Sequence, residues 1–251
     1  MRSASNELRE NLASVQERIN IAAARAGRRP EEMTLVAVSK THSAQKIQEL
    51  YEAGIRHFGE NRVQERETKL AHLSTPEAAW HMIGHLQKNK AARAAALFDS
   101  VDSLDSIALA EKLNRARQEF LSQSSAKGAA SVSSTHGKPL RALVEINLDP
   151  EPAKSGVKDD EASRLVEAVQ SMPHLELLGL MGVPPYFDNP EEARPYFRRL
   201  HELRDSLRSR FGAQALPVLS MGMSHDLEIA IEEGATEVRV GTALFGHREM
   251  A

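Results

Sequence analysis

Leu8, Leu12, Val15, Ile19 and Ala22 or Ala23 recur at steps of three and four, with Glu, Arg, Asn and Gln between them. That is the spacing of one apolar helix face, and it predicts a helix over residues 5–26 that Gly27 and Pro30 end. The next apolar stretch has another character. Thr34-Leu-Val-Ala-Val-Ser-Lys40 is continuous rather than alternating, as a parallel strand covered on both faces would be. From there the two patterns take turns. Apolar runs at 55–61, 79–84, 97–101, 140–147, 175–181, 216–219 and 237–241 each read as a strand, and helical spacing or a polar turn leading to it follows the first six. After the run at 97–101, Asp102 or Ser103 is placed to cap a helix that reaches about Phe120.

Eight strand-helix units in 251 residues predict a single α/β domain over residues 1–251, a (β/α)8 TIM barrel. An open doubly wound sheet is the second architecture. The helix at 5–26 precedes the first strand, so it is an extra N-terminal helix outside the repeat, expected to cover one end of the barrel. Residues 121–139 are rich in Ser, Ala and Gly. They read as a flexible surface insertion rather than a domain boundary, because the strand-helix rhythm resumes beyond them.

Composition removes several function classes. A net charge of -3 and a sequence pI near 6.4 lack the basic surplus of a nucleic-acid or anionic-membrane binder. With no cysteine there is no disulfide, no thiolate catalysis and no Cys-ligated zinc, which fits a reducing cytosol. The N-terminus has no signal-peptide core, and no apolar run approaches the ~20 residues of a membrane span. A soluble cytoplasmic protein is expected.

Lys40 carries the first chemical signal. It stands at the carboxyl end of a buried strand, where α/β folds place their ligands. Partial desolvation there disfavours the ammonium and frees a nucleophile for Schiff-base chemistry; the other reading is a lysine that merely opens a surface loop. Ser220-Met-Gly-Met-Ser224 and Gly241-Thr242 follow the last two strand runs, and barrels bind phosphate at such loops. Gly222 and Gly241 could equally serve tight turns. A lysine facing a phosphate site suggests a phosphorylated carbonyl compound, either a substrate or pyridoxal phosphate. Arg239 shares a strand face with Glu237. It could contact a phosphate, donate to a cofactor ring nitrogen, or face the helices in an ion pair with Glu237.

Seven segments then resemble one family in its own order. They are Ala37-Val-Ser-Lys-Thr41, Phe58-Gly-Glu-Asn61 with Val63-Gln-Glu65, Trp80-His-Met-Ile-Gly-His-Leu-Gln87 with Asn89-Lys90, Lys154-Ser-Gly156, Gly179-Leu-Met181, Ser220-Met-Gly-Met-Ser224, and Val238-Arg-Val-Gly-Thr-Ala-Leu-Phe-Gly246. Together they are similar to the YggS-type pyridoxal phosphate homeostasis proteins. The resemblance implies a barrel of the alanine-racemase type (fold type III of pyridoxal phosphate proteins) and pyridoxal 5'-phosphate as cofactor, held as a Schiff base on Lys40. It implies Ser220, Gly222, Met223, Ser224, Gly241 and Thr242 around the phosphate, and Arg239 on the pyridine nitrogen. Asn61, His85 and Met181 would line the pocket. The family is understood as carriers or regulators of pyridoxal phosphate supply, usually monomeric and without an established reaction, with apo-enzymes as possible transient partners.

Two enzymatic readings stand beside it. A racemase needs an acid-base partner opposite the lysine, commonly a tyrosine from a second domain. This chain has three tyrosines and ends ten residues after the last strand run. A cofactor-independent aldolase would want further charged residues deep in the barrel, where Glu145 is the main one.

Overall fold

The computed structural model describes residues 4–127, 137–149, 151 and 155–246. Eight parallel strands close into a barrel in sequence order: β1 Thr34–Val38, β2 His57–Glu60, β3 Ala79–Met82, β4 Ser100–Leu104, β5 Leu140–Ile146, β6 Leu175–Gly182, β7 Val218–Ser220 and β8 Glu237–Val240. The helices are α1 Ala4–Arg25, α2 Ala44–Glu52, α3 Val63–Leu70, α4 Ala91–Leu97, α5 Ile107–Lys127, α6 Asp159–Gln170, α7 Arg194–Phe211, α8 Leu227–Glu232 and α9 Thr242–Phe245. The closed barrel, not the open sheet, is the architecture.

The strands explain themselves by alternation. Ala37, Phe58, Trp80, Val101, Ala142, Val144, Leu180, Leu219, Val238 and Val240 belong to one buried apolar shell with the inner faces of the helices. Each fully buried Val, Leu or Phe side chain contributes about 1.5–3 kcal/mol, so this shell is the main source of stability. The intervening positions turn into the barrel, and many of them are polar.

Three expectations need correction. The helix α1 does not cap an end of the barrel. It runs along the outer wall against α2, α8 and α9. Asn11 donates to the Leu244 carbonyl at 3.0 Å, Arg18 grips Glu228 at 2.6 and 2.8 Å, and Arg28 donates to the carbonyls of Ile231 at 3.2 Å and Ala235 at 2.6 Å. The reason lies in α9, which has only 4 residues. One turn cannot cover β8 and β1, and the long apolar face of α1 fills the place of the missing outer helix.

The fourth strand is shifted. Leu97 ends α4, and β4 is Ser100–Leu104, so Asp102 and Ser103 are fully buried strand residues and not helix caps. Ser106 takes that part, accepting from the Leu109 N–H at 3.4 Å. Asp99 fixes the shift: its carboxylate accepts the Trp80 N–H at 2.7 Å and holds the connection before the strand.

Finally, α5 continues to Lys127, so residues 121–127 are helical rather than part of a loose insertion. Gln123, Ala126 and Lys127 are good helix formers, and no glycine or proline interrupts them before Gly128. The expected flexibility of 128–136 falls outside the described residues, as does Lys154 of the Lys-Ser-Gly segment.

Candidate functional site at the barrel mouth

The backbone around Lys40 is gripped from two sides. The β1 ladder continues past its end, Ser39 N–H donating to the Gly59 carbonyl at 2.9 Å. Lys69 of α3 donates to the Ser39 carbonyl at 2.8 Å and to Glu60 Oε1 at 2.7 Å, and the Ser39 hydroxyl donates to the same Oε1 at 2.6 Å. On the other side the Thr41 N–H donates to Glu65 Oε2 at 2.9 Å. Thr41 has φ 66°, a left-handed conformation that a β-branched residue adopts only when its surroundings impose it. Lys40 itself is half-buried. Burial raises the pKa of Glu60 while Lys69 draws it down, which ties this carboxyl to its ammonium partner.

The loops after β7 and β8 are joined to each other. Ser224 Oγ accepts the Ala243 N–H at 3.2 Å, and the Arg18 guanidinium holds the Ser224 carbonyl at 2.9 Å. Asp226 Oδ1 accepts the Met223 N–H at 2.6 Å. Gly222 has φ +90°, and a Cβ there would lie 2.5 Å from the Ala230 Cβ, so both conformation and the closeness of α8 require glycine. Gly241 differs. A Cβ would meet Val38 only at an ordinary 3.5 Å, so packing tolerates a side chain. The glycine leaves room between β8 and the strand that carries Lys40. Thr242 is exposed beside it.

Arg239 points into the barrel, where it is 4% exposed; the helix-facing alternative is excluded. It donates from Nη1 to Ser220 Oγ at 2.6 Å and from Nη2 to the Gly182 carbonyl at 3.0 Å. Ser220 donates in turn to Glu237 Oε1 at 2.7 Å. The Ser220 hydroxyl is therefore committed to the interior, and Ser220 enters the site through Arg239 rather than as a donor at the mouth. Burial draws the Arg239 pKa down, against the pull of Glu237, Asp102, Glu145 and Asp226.

Met181 is fully buried and lies level with Glu145 and Ser220 in the strand register. Asn61 and His85 share a cavity of 210 Å³ with Met82, Leu86 and Lys90, and neither Lys40 nor Arg239 lines it. The His85 side chain is 57% exposed, with Nδ1 3.1 Å from Asp105 Oδ2. The structure thus brings Lys40, Gly241 and Arg239 to neighbouring strand ends and leaves His85 at the rim.

Sequence reasoning missed a group below the mouth. His57 Nδ1 lies 3.0 Å from His81 Nε2. His81 Nδ1 is 2.8 Å from Asp102 Oδ2 and 4.0 Å from Glu237 Oε2, and Ser100 donates to the other Asp102 oxygen. Burial pulls the His57 imidazole down to about 4, helped by His81 and Arg141. Burial also opposes charge on His81, yet Asp102, Glu237 and Asp99 outweigh it and push that imidazole up to about 9. The signal was present as period-two alternation, Trp80-His81-Met82 and Ser100-Val101-Asp102, which aims His81 and Asp102 inward.

Three comparisons bear on this geometry. Residues 11–249 match the family described as "Alanine racemase, N-terminal domain". A protein of Aquifex aeolicus named "Pyridoxal phosphate homeostasis protein" is 42% identical over 241 residues, covering 96% of this chain and 98% of its own. One of Escherichia coli K12 with the same name is 39% identical over 251 residues, covering 97% and 98%. The chain belongs to the pyridoxal phosphate homeostasis protein family. PipY of Synechococcus elongatus, solved with PLP bound, superposes with TM-score 0.77 at 33% identity, covering 95% of this chain and 100% of that one. An alanine racemase of Clostridium difficile superposes with TM-score 0.73 at 13% identity, and the match covers 98% of this chain but 58% of the racemase. It shows that this homeostasis-family barrel has the racemase barrel fold. Among the described residues no helix is long and apolar enough to cross a membrane.

Proposed function

We propose that this protein binds pyridoxal 5'-phosphate at the barrel mouth and takes part in intracellular homeostasis of that cofactor, holding it reversibly on Lys40 without catalytic turnover. The observation that carries the reading is the backbone clamp that Glu60, Glu65 and Lys69 place on Ser39 and Thr41, beside the joined loops after β7 and β8. A lysine that only opened a surface loop would not need its two neighbours fixed. The donor set fits the cofactor: an amine at Lys40, an open glycine junction at Gly241 with Thr242, and a buried arginine below.

When bound, the cofactor would supply an aldehyde, and Lys40 would supply the amine that holds it. Gly222, Met223, Ser224, Gly241 and Thr242 would surround the phosphate, with Ser220 acting from below through Arg239. Arg239 would hold the ring nitrogen, and an arginine that keeps its own proton leaves that ring a weak electron sink. Asn61 and Met181 would flank the pocket, and His85 belongs to its rim.

The tyrosines support a carrier rather than a racemase. Tyr186 is 76% exposed and stacks on His225; Tyr196 packs on Phe187; Tyr51 lies under Arg56. None is on a strand of the barrel. The protein would act as a cytoplasmic monomer whose partners are pyridoxal phosphate and, transiently, apo-enzymes that receive it.

The test is reduction with borohydride after incubation with pyridoxal 5'-phosphate, followed by peptide mapping. A pyridoxyl group on Lys40, absent in Lys40→Ala, is the expected result. An adduct elsewhere removes Lys40 from this role, and a protein that takes up no chromophore removes the cofactor.

A further inference from the structure

Inside the barrel, below the mouth, lies a set of charged groups of which a cofactor at the mouth would reach only Arg239. Asp102 and Glu237 are 0% and 5% exposed, His81 6% and Arg239 4%. Two carboxylates enclosed side by side repel, and the burial of each is costly unless a cation is shared between them. His81 stands where that cation is needed, 2.8 Å from Asp102 and 4.0 Å from Glu237. Its second ring nitrogen faces His57. The other charges around this set are Asp99, Arg141, Glu145 and Asp226.

The chain of bonds continues upward. A serine hydroxyl has one hydrogen. Ser220 gives it to Glu237 Oε1 at 2.7 Å, which leaves its lone pairs to receive the Arg239 Nη1–H at 2.6 Å. That order holds only while Glu237 accepts. If Glu237 took up a proton and donated to Ser220, the hydroxyl hydrogen would lose its acceptor and turn, and only one of the two Ser220 lone pairs would remain to orient Arg239.

We propose that His81 is a positioning residue: as a buried imidazolium between Asp102 and Glu237, it keeps Glu237 an acceptor and so fixes Arg239, through Ser220, beneath the cofactor ring. The step to the ring rests on the proposed cofactor reading; the interior arrangement does not. His81 donates from Nδ1 to Asp102 and from Nε2 to His57 Nδ1. Neutral His57 then carries its proton on Nε2, in keeping with an imidazole drawn down to about 4. The same three ligand atoms of His81, Asp102 and Glu237 lie within 4.8 Å of one another, a spacing a metal ion could also bridge. The test therefore includes metal analysis.

The first measurement uses the protein without cofactor. Nitrogen-15 NMR of the histidine side chains should show one imidazole, lost in His81→Gln, that stays doubly protonated above pH 8 and falls below pH 7 in Asp102→Asn. The second loads pyridoxal 5'-phosphate. His81→Gln should keep binding inorganic phosphate as the parent does but move the midpoint of the bound cofactor's absorbance-against-pH curve by one unit or more. Ser220→Ala should move it in the same direction. If His81→Gln does not fold, Asp102→Asn carries both measurements. A His81 imidazole that is neutral at pH 7, an unmoved absorbance curve, or one bound divalent metal per chain overturns the proposal. If the parent takes up no cofactor while the NMR result stands, the cofactor reading fails and the interior cation remains.

Discussion

Lys69 Nζ lies 2.8 Å from the carbonyl oxygen of Ser39, the residue before Lys40. The same ammonium is 2.7 Å from Glu60 Oε1, whose side chain is 0% exposed. One side chain on α3 thus neutralises a buried carboxylate and holds the strand end that presents the candidate nucleophile. Removing it leaves Glu60 uncompensated. Lys69→Met should lower stability by about 3–5 kcal/mol, the usual cost of breaking a buried pair, read from urea midpoints at unchanged m-value. Adding Glu60→Gln should recover part of the loss; if the double substitution is as unstable as the single, the cost is not electrostatic.

Gly222 is held by conformation and by contact together. Gly222→Ala would put a methyl group 2.5 Å from the Ala230 Cβ at φ +90°. The expected cost is about 1–3 kcal/mol from overpacking, plus strain. Because the shift moves the loop after β7, calorimetry should also show pyridoxal 5'-phosphate binding at least tenfold more weakly, about 1.4 kcal/mol. Gly241→Ala should cost less stability than Gly222→Ala and weaken binding at least as much.

Arg239→Gln separates two assignments for one arginine. With Arg239 on the ring nitrogen, the substitution should change the absorbance of the bound cofactor while affinity for inorganic phosphate is kept. A tenfold fall in phosphate affinity would place the arginine on the phosphate instead.

Glu145 makes stability depend on pH. One of its carboxyl oxygens is buried with no hydrogen-bond partner. Burial, then Asp105, raise its pKa from 4.5 to about 7, against Arg239. A carboxyl whose folded pKa is raised favours folding in its protonated form. Its contribution is therefore full below pH 4.5 and is lost as pH rises through 7. Glu145→Gln should remove this slope and be the more stable form at pH 8 by about 1–3 kcal/mol, as urea midpoints at pH 5 and pH 8 will show.

The parts legible in the sequence were those written in local spacing. The barrel followed from eight apolar runs separated by helical stretches, and Lys40 was visible as a lysine ending a buried run. Gly222 and Gly241 could be placed at strand exits, though not told apart. Packing separates them, since only Gly222 lies under Ala230. The fourth strand was misplaced because Leu97 and Phe98 are apolar for a different reason: they close α4 and the connection after it. The place of α1 could not be read either, since it depends on the gap left by a one-turn α9.

By itself the sequence determined which residues share a strand face and which stand at strand ends, because alternation and turn formers act over a few positions. The tertiary structure decided what those faces meet. His81 reaches Asp102 across 21 positions, Arg239 reaches Ser220 across 19 and Gly182 across 57. No local pattern encodes such pairs. Closing the barrel brings the inward positions of separate strands within hydrogen-bond distance and shuts out water. Exclusion of water turns a run of ordinary polar residues into a charged interior whose members must satisfy one another.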